Sequence, residues 1–203
     1  MANILDYKYT KFKQISGLLG VLSLWTFISF GMLKAHLNLI DTRPISYLGI
    51  YRPTRLIFTL GLLVSAVLFI VFAIYLAHTY KLRNKFLIYF FIGQTGQIIT
   101  AIIPDTPHTT FRLIHTIAAF TLAFSLPLLI REFAISQKDS KYSNIYHGLY
   151  RFELVTFAIG IGLFVFTNGV APLGEILPTF GFHLWIIVVS CILIKSKANE
   201  YSK

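Results

Sequence analysis

Six runs of 18 to 22 predominantly apolar residues, at 15–33, 56–77, 86–103, 113–130, 152–171 and 177–194, constrain this chain more than anything else in it. As a helix, 18 residues rise roughly 27 Å, enough to cross the hydrocarbon core of a bilayer. Hydrocarbon offers the backbone no hydrogen-bond partner, so a crossing is a helix or a strand of a closed barrel. No run alternates with the two-residue period of a barrel strand. The sequence therefore predicts an all-α integral membrane bundle of six transmembrane helices, forming one domain over 1–203 with no soluble appendage.

Composition narrows the class further. Only 13% of residues are charged, against roughly 25% in soluble domains, and the mean hydropathy is +0.70. A cytosolic enzyme, a disulfide scaffold and a disordered chain are all excluded. The net charge of +10 would point to nucleic acid in a soluble domain, but here the cations cluster at span ends, as membrane proteins require. Cys191, the single cysteine, falls inside the last run and reads as a core residue. Lys8, Lys11 and Lys13 before the first run imitate a signal peptide; the length of that run and the lack of a small-x-small site favour an uncleaved span.

Lys and Arg set the expected direction. With the N-terminus inside, 13 cations lie inside (Lys8, Lys11, Lys13, Lys81, Arg83, Lys85, Arg131, Lys138, Lys141, Arg151, Lys195, Lys197 and Lys203) and 5 outside (Lys34, Arg43, Arg52, Arg55 and Arg112). Both termini are expected in the cytoplasm, with the chain in a bacterial-type cell membrane. Prolines punctuate the loops: Pro44 and Pro53 in the first, Pro104 and Pro107 in the third, and Pro172 and Pro178 bracketing a short fifth. Pro127 falls inside the fourth span, where a kink is expected. The stretch 131–151 reads as a solvated inner connection, and Glu153 beside Arg151 reads as half of a local ion pair.

Polar residues inside spans are costly in hydrocarbon and mark interior faces or wet cavities. The third span carries Gly93, Gln94, Gly96, Gln97 and Thr100. Gln94 and Gln97 share one helix face and Gly93 and Gly96 another. That pattern serves a polar cavity wall, or close packing with amides bonded across helices. Gly160 and Gly162 in the fifth span read as packing residues.

At the expected outer face, Asp105 and His108 follow the third span, Arg112 and His115 open the fourth, Glu175 lies in the fifth loop, and His183 is about two turns into the sixth span; Asp41, Arg43 and His36 lie in the first loop. Asp105, His108, His115 and His183 are the candidate catalytic group, for acid–base work, a proton relay or metal ligation. The expectation is that they approach one another, but no compact motif such as H-E-x-x-H accompanies them, and no metal site is called for. Haem between His115 and His183, or between His78 and His147, is not called for either, because the second pair falls at span ends. No cofactor is expected.

The first loop holds Ile45, Tyr47, Leu48, Ile50 and Tyr51, apolar or aromatic in a segment that should be wet, with two prolines and Gly49. An ordered loop over the outer helix ends is expected, with Arg43, Arg52 and Arg55 holding lipid headgroups or meeting Asp105 or Glu175.

The run Ile45-Ser46-x-x-Gly49-x-Tyr51-x-Pro53, then Ile57-Phe58, resembles the I-S-x-x-G-x-Y-x-P-x-x-x-I-F pattern before the second span of the Frag/DRAM/Sfk family. Pro104-Asp105, followed by His115 and Ala118-Ala119, is similar to the prokaryotic six-span family called domain of unknown function 998. About half the chain carries the likeness. It implies a helical bundle with an ordered outer loop and a part in lipid handling or membrane organisation, and it assigns no catalytic residue. Where eukaryotic relatives often have Asp after the Ser, this chain has Tyr47, so a carboxylate role there is lost.

Three functions fit these residues. The first is a protein that binds or organises membrane lipids. The second is a membrane-embedded enzyme using the Asp/His group. The third is an accessory subunit that packs against membrane-protein partners or against copies of itself.

Overall fold

The computed structural model describes residues 2–39, 43–168 and 172–201, with side chains over 10–39, 43–168 and 172–196. Asp41, Ala171 and the side chains of Lys8, Lys197 and Lys203 lie outside that set. The chain is 85% helical, with no strand among the described residues. Six helices are long and apolar enough to cross a membrane: α1 Ala2–Ala35, α2 Arg52–Thr79, α3 Asn84–Ile102, α4 Thr110–Ser136, α5 Ser143–Phe166 and α6 Pro172–Tyr201. A 3-10 turn, Ile45–Gly49, sits between α1 and α2. The chain is a polytopic membrane protein.

Several helices outrun their apolar runs. Residues 131–136 and 143–151, expected in a loop, are helical, leaving only 137–142 to connect α4 and α5. The reason is packing: Glu132, Phe133 and Ala134 are buried on α4, and Tyr146 and Leu149 on α5. These helix ends keep one apolar face after the other has turned polar, and that face continues the helix. Pro172 is the first residue of α6 and Pro178 lies inside it, so the two prolines do not bracket a loop. Proline is suited to a helix start, where its missing N–H has no partner to lose. Three helices end on a left-handed residue that is not glycine: His36 (φ 50°), Lys81 (φ 50°) and Asn168 (φ 51°). After α1 and α2 the chain closes by long backbone bonds, Leu37 N to Met32 O at 2.9 Å and Leu82 N to Ala77 O at 3.0 Å.

The helices form a ring in chain order, each packed on its sequence neighbours, with α6 returning to α1 and also reaching α4. Six crossings put both termini at one end, the terminal end; the turn Ile45–Gly49 lies at the other, the cap end. The two halves differ. The terminal half is filled by aromatic residues, including Phe69, Phe72, Phe86, Phe133, Tyr146 and Trp185, all under 2% exposed. Phe133 stands edge-on to both Tyr146 and Trp185, at 5.0 and 5.2 Å between centroids. The cap half has a smaller apolar cluster, in which Leu24, Ile28 and Phe58 pack beneath Ile45 and Leu48 of the turn. Outward, the helices expose Leu22, Leu56, Val67, Ile117, Val155 and Phe166. Apolar exposure on every helix has no place in water and suits a lipid-facing surface.

Glycines fix the closest helix contacts. A Cβ on Gly96 would lie 2.6 Å from the Ala118 carbonyl oxygen and 2.8 Å from the Leu122 nitrogen, so α3 and α4 touch backbone to backbone. Gly93 packs on Ser125, and Gly160 packs on Pro178. Gly162 differs from the packing role read for it, since nothing lies within 4 Å of its Cβ position.

Candidate functional site: a cavity in the cap half

The aromatic filling stops halfway along the bundle, and a cavity of about 180 Å³ takes its place. All six helices contribute to its wall, together with the 3-10 turn and the α3–α4 loop. On α4 the wall runs from Arg112 to Leu126, roughly 21 Å at helical rise. Its deep part is mainly apolar, with Leu62, Leu122, Leu126 and Phe182. Its polar groups gather toward the cap: Ser46, Thr100, Asp105, Arg112, His115, Thr116, Glu175 and Thr179, with His183 further in and Gln97 on α3.

Ser46 organises the rim. Its backbone N–H donates to Glu175 Oε2 at 2.8 Å, and its hydroxyl donates to Asp105 Oδ2 at 3.4 Å. One residue of the turn thus ties the start of α6 to the α3–α4 loop. Arg112 Nε lies 3.6 Å from the other Asp105 oxygen, with the Arg112 side chain half exposed. His115 is buried, and its Nδ1 lies 2.6 Å from the Ile103 carbonyl oxygen. A carbonyl can only accept, so Nδ1 carries the proton and Nε2 is left as the ring's second site. His183 is 4% exposed and sits among Trp25, Phe69 and Phe182 at 5.8 to 6.0 Å between centroids; its Nδ1 has no hydrogen-bond partner.

Of the four candidate acid–base residues, Asp105, His115 and His183 line this one cavity. His108 does not; it is exposed on the α3–α4 loop with φ 59°. Among the described residues no three His, Cys, Asp or Glu side chains come together as metal ligands. The shared feature is therefore a cavity wall, not a coordination point.

The other polar residues separate by helix face. Gln97 donates to the Leu62 carbonyl and to Ser65 Oγ, both at 2.9 Å, which bonds α3 to α2 while the residue also lines the cavity. Thr100 lines it too, bonding back to Gly96 O at 2.8 Å. Gln94 is buried away from the cavity, and neither amide atom has a partner. Gln97 thus serves both as cavity wall and as a bond between helices, and Gln94 does neither.

The arginines of the first loop take no part in the cavity. Arg43 donates to the His36 carbonyl at 3.1 Å and lies over the Tyr47 ring, which stacks on Tyr51. Arg52 and Arg55 are exposed at the start of α2 and make no ion pair among the described residues. Asp105 and Glu175 are met by Ser46 and Arg112 instead of by these three. The turn does bury Ile45 and Leu48, with Tyr47, Ile50 and Tyr51 partly covered.

Glu153 departs from its expected pairing with Arg151. It is fully buried and turned toward Gly181 of α6. Residues two apart on a helix point in different directions, and Arg151 faces outward.

Sequence reasoning set out Ser46, Arg112 and Glu175 without making them candidates. The signal for Ser46 was its place in the I-S-x-x-G pattern; for Glu175 it was a carboxylate beside a span in a chain with few acids. Comparison of the chain with family models, curated proteins and solved structures returned no match.

Proposed function

We propose that this polytopic membrane protein binds a lipid in its cap-half cavity, headgroup at the rim and acyl chain toward Leu126 and Phe182. The observation that carries the reading is the make-up of the wall: its charged groups, Asp105, Arg112 and Glu175, lie toward the cap, and Leu122, Leu126 and Phe182 continue it inward as a mainly apolar surface. Ligand sites built this way use a few polar groups to orient a mainly apolar ligand. The 3-10 turn is the lid of the site, held by Ser46. Arg52 and Arg55 act at the surface, as cations in the anionic headgroup layer.

Membership of the group formed by domain of unknown function 998 and the Frag/DRAM/Sfk proteins is part of the same proposal. It is supported by the position of the residues that carry the likeness, since Ser46, Asp105 and His115 all line the cavity. Lipid extraction and mass spectrometry of the purified protein test the reading. The unmodified chain should retain lipid near one per chain, and Ala123→Trp, which fills the cavity wall, should retain far less while remaining folded. Equal retention by both would refute an internal site.

A second reading rests on His115. With Nδ1 held by a carbonyl, Nε2 is available as a base, and Asp105 and His183 line the same space. Such an arrangement serves lipid hydrolysis or transfer. Mass spectrometry of supplied lipids after incubation with the unmodified chain and with His115→Ala distinguishes it from binding alone.

A further inference from the structure

We propose that the cavity selects a lipid whose headgroup carries a protonated primary amine next to a phosphate, a phosphoethanolamine-type zwitterion. The inference rests on the lipid-binding reading above and adds the class of headgroup.

Charged groups and hydrogen-bonding partners at the rim point to this headgroup. Two carboxyl groups, of Asp105 and Glu175, line the cavity with one guanidinium, of Arg112, and among the described residues no lysine or second arginine does. The rim thus sets two carboxyl groups beside one guanidinium in a chain whose net charge is +10. The two acids are drawn to a single residue: Ser46 N–H on Glu175 Oε2 at 2.8 Å and Ser46 hydroxyl on Asp105 Oδ2 at 3.4 Å. Arg112 is only loosely engaged, with Nε 3.6 Å from Asp105 and the side chain 52% exposed. A headgroup that is only anionic would gain Arg112 and oppose both acids. A zwitterion answers both signs, with phosphate on Arg112 and ammonium between Asp105 and Glu175.

The polar neighbours argue for N–H donors and against a quaternary amine. An ammonium offers three hydrogens to carboxylates and hydroxyls, and Ser46, Thr116 and Thr179 supply the hydroxyls. A quaternary amine has no hydrogen to give these carboxyl and hydroxyl groups. The phosphate is taken as part of a lipid because the cavity continues inward as an apolar wall to Leu126 and Phe182.

The test is native mass spectrometry of the full chain in detergent after incubation with lipids of identical acyl chains. One set is an N-methylation series from phosphatidylethanolamine through the monomethyl and dimethyl lipids to phosphatidylcholine; the other is phosphatidylglycerol. For the unmodified chain, occupancy should fall along the series by about tenfold in total, as donors to charged groups are lost. Phosphatidylglycerol should be no better than phosphatidylcholine. Glu175→Gln, which keeps an acceptor for the Ser46 N–H, should flatten the series while lipid remains bound. Flat occupancy in the unmodified chain, or a preference for phosphatidylglycerol, overturns the amine assignment and leaves lipid binding standing. Retention of no lipid at all overturns both.

Discussion

Gln94 and Gln97 lie one turn apart on α3, both buried, yet only Gln97 has partners, Leu62 O and Ser65 Oγ. A buried amide without partners costs about 1–3 kcal/mol, whereas a bonded one contributes about 1 kcal/mol. Gln94→Leu should leave the thermal midpoint in detergent unchanged or raise it, and Gln97→Leu should lower it. If Gln94→Leu loses as much as Gln97→Leu, Gln94 has a partner that this account lacks. At this scale the sequence was informative about which residues are buried and poor about what they meet. Polar residues in apolar runs announced Gln97, His115 and His183 as interior, because hydrocarbon tolerates them nowhere else. Ser46 and Glu175 are 129 positions apart, and nothing in a local pattern brings them together. Glu153 was misread for the opposite reason, since a neighbouring charge in sequence was taken for a neighbour in space.

The elements follow from one requirement, that every backbone group be satisfied within the membrane, and so their number and type were legible at once. Their ends were not. Hydropathy registers the stretch in hydrocarbon, while α4 and α5 continue beyond it on the strength of one buried face carrying Phe133 and Tyr146. The non-glycine left-handed ends at His36 and Lys81 also left no trace, because the usual marker is glycine. The α3–α4 contact gives a sharp prediction. Gly96→Ala puts a methyl against the backbone of α4, which cannot move aside as a side chain would. The cost should be at least about 1–3 kcal/mol, seen as a lower midpoint and a loss of monodisperse protein. Gly162→Ala, with open space around it, should be neutral or slightly stabilising. Equal losses from both would mean that the α3–α4 approach is not as close as described.

For the whole molecule, the cation count expects the terminal end to face the cytoplasm. Because Cys191 is exposed on α6 and not the core residue that its place in the last run suggested, the test starts from Cys191→Ser and places single cysteines in 137–142 and in 106–109. An impermeant thiol reagent added outside intact cells should label the second and not the first; the reverse result would invert the topology. The two halves of the bundle divide the work. Aromatic packing closes the terminal half, and the cap half keeps a cavity beneath the turn Ile45–Gly49. That division was not readable beforehand, since a phenylalanine in an apolar run serves a core, a cavity wall or a lipid-facing surface equally well.

The central claim, that lipid enters this cavity, is tested most directly by a phospholipid carrying a photoreactive diazirine in its acyl chain. After reconstitution and illumination, peptide mass spectrometry locates the adducts. The account predicts adducts on cavity residues of α4 and α6, such as Ala119, Leu122, Ala123 and Phe182, competed by unlabelled lipid and lost in Ala123→Trp. Adducts confined to outward residues such as Leu22, Val67 and Val155, the same in both proteins, would contradict it.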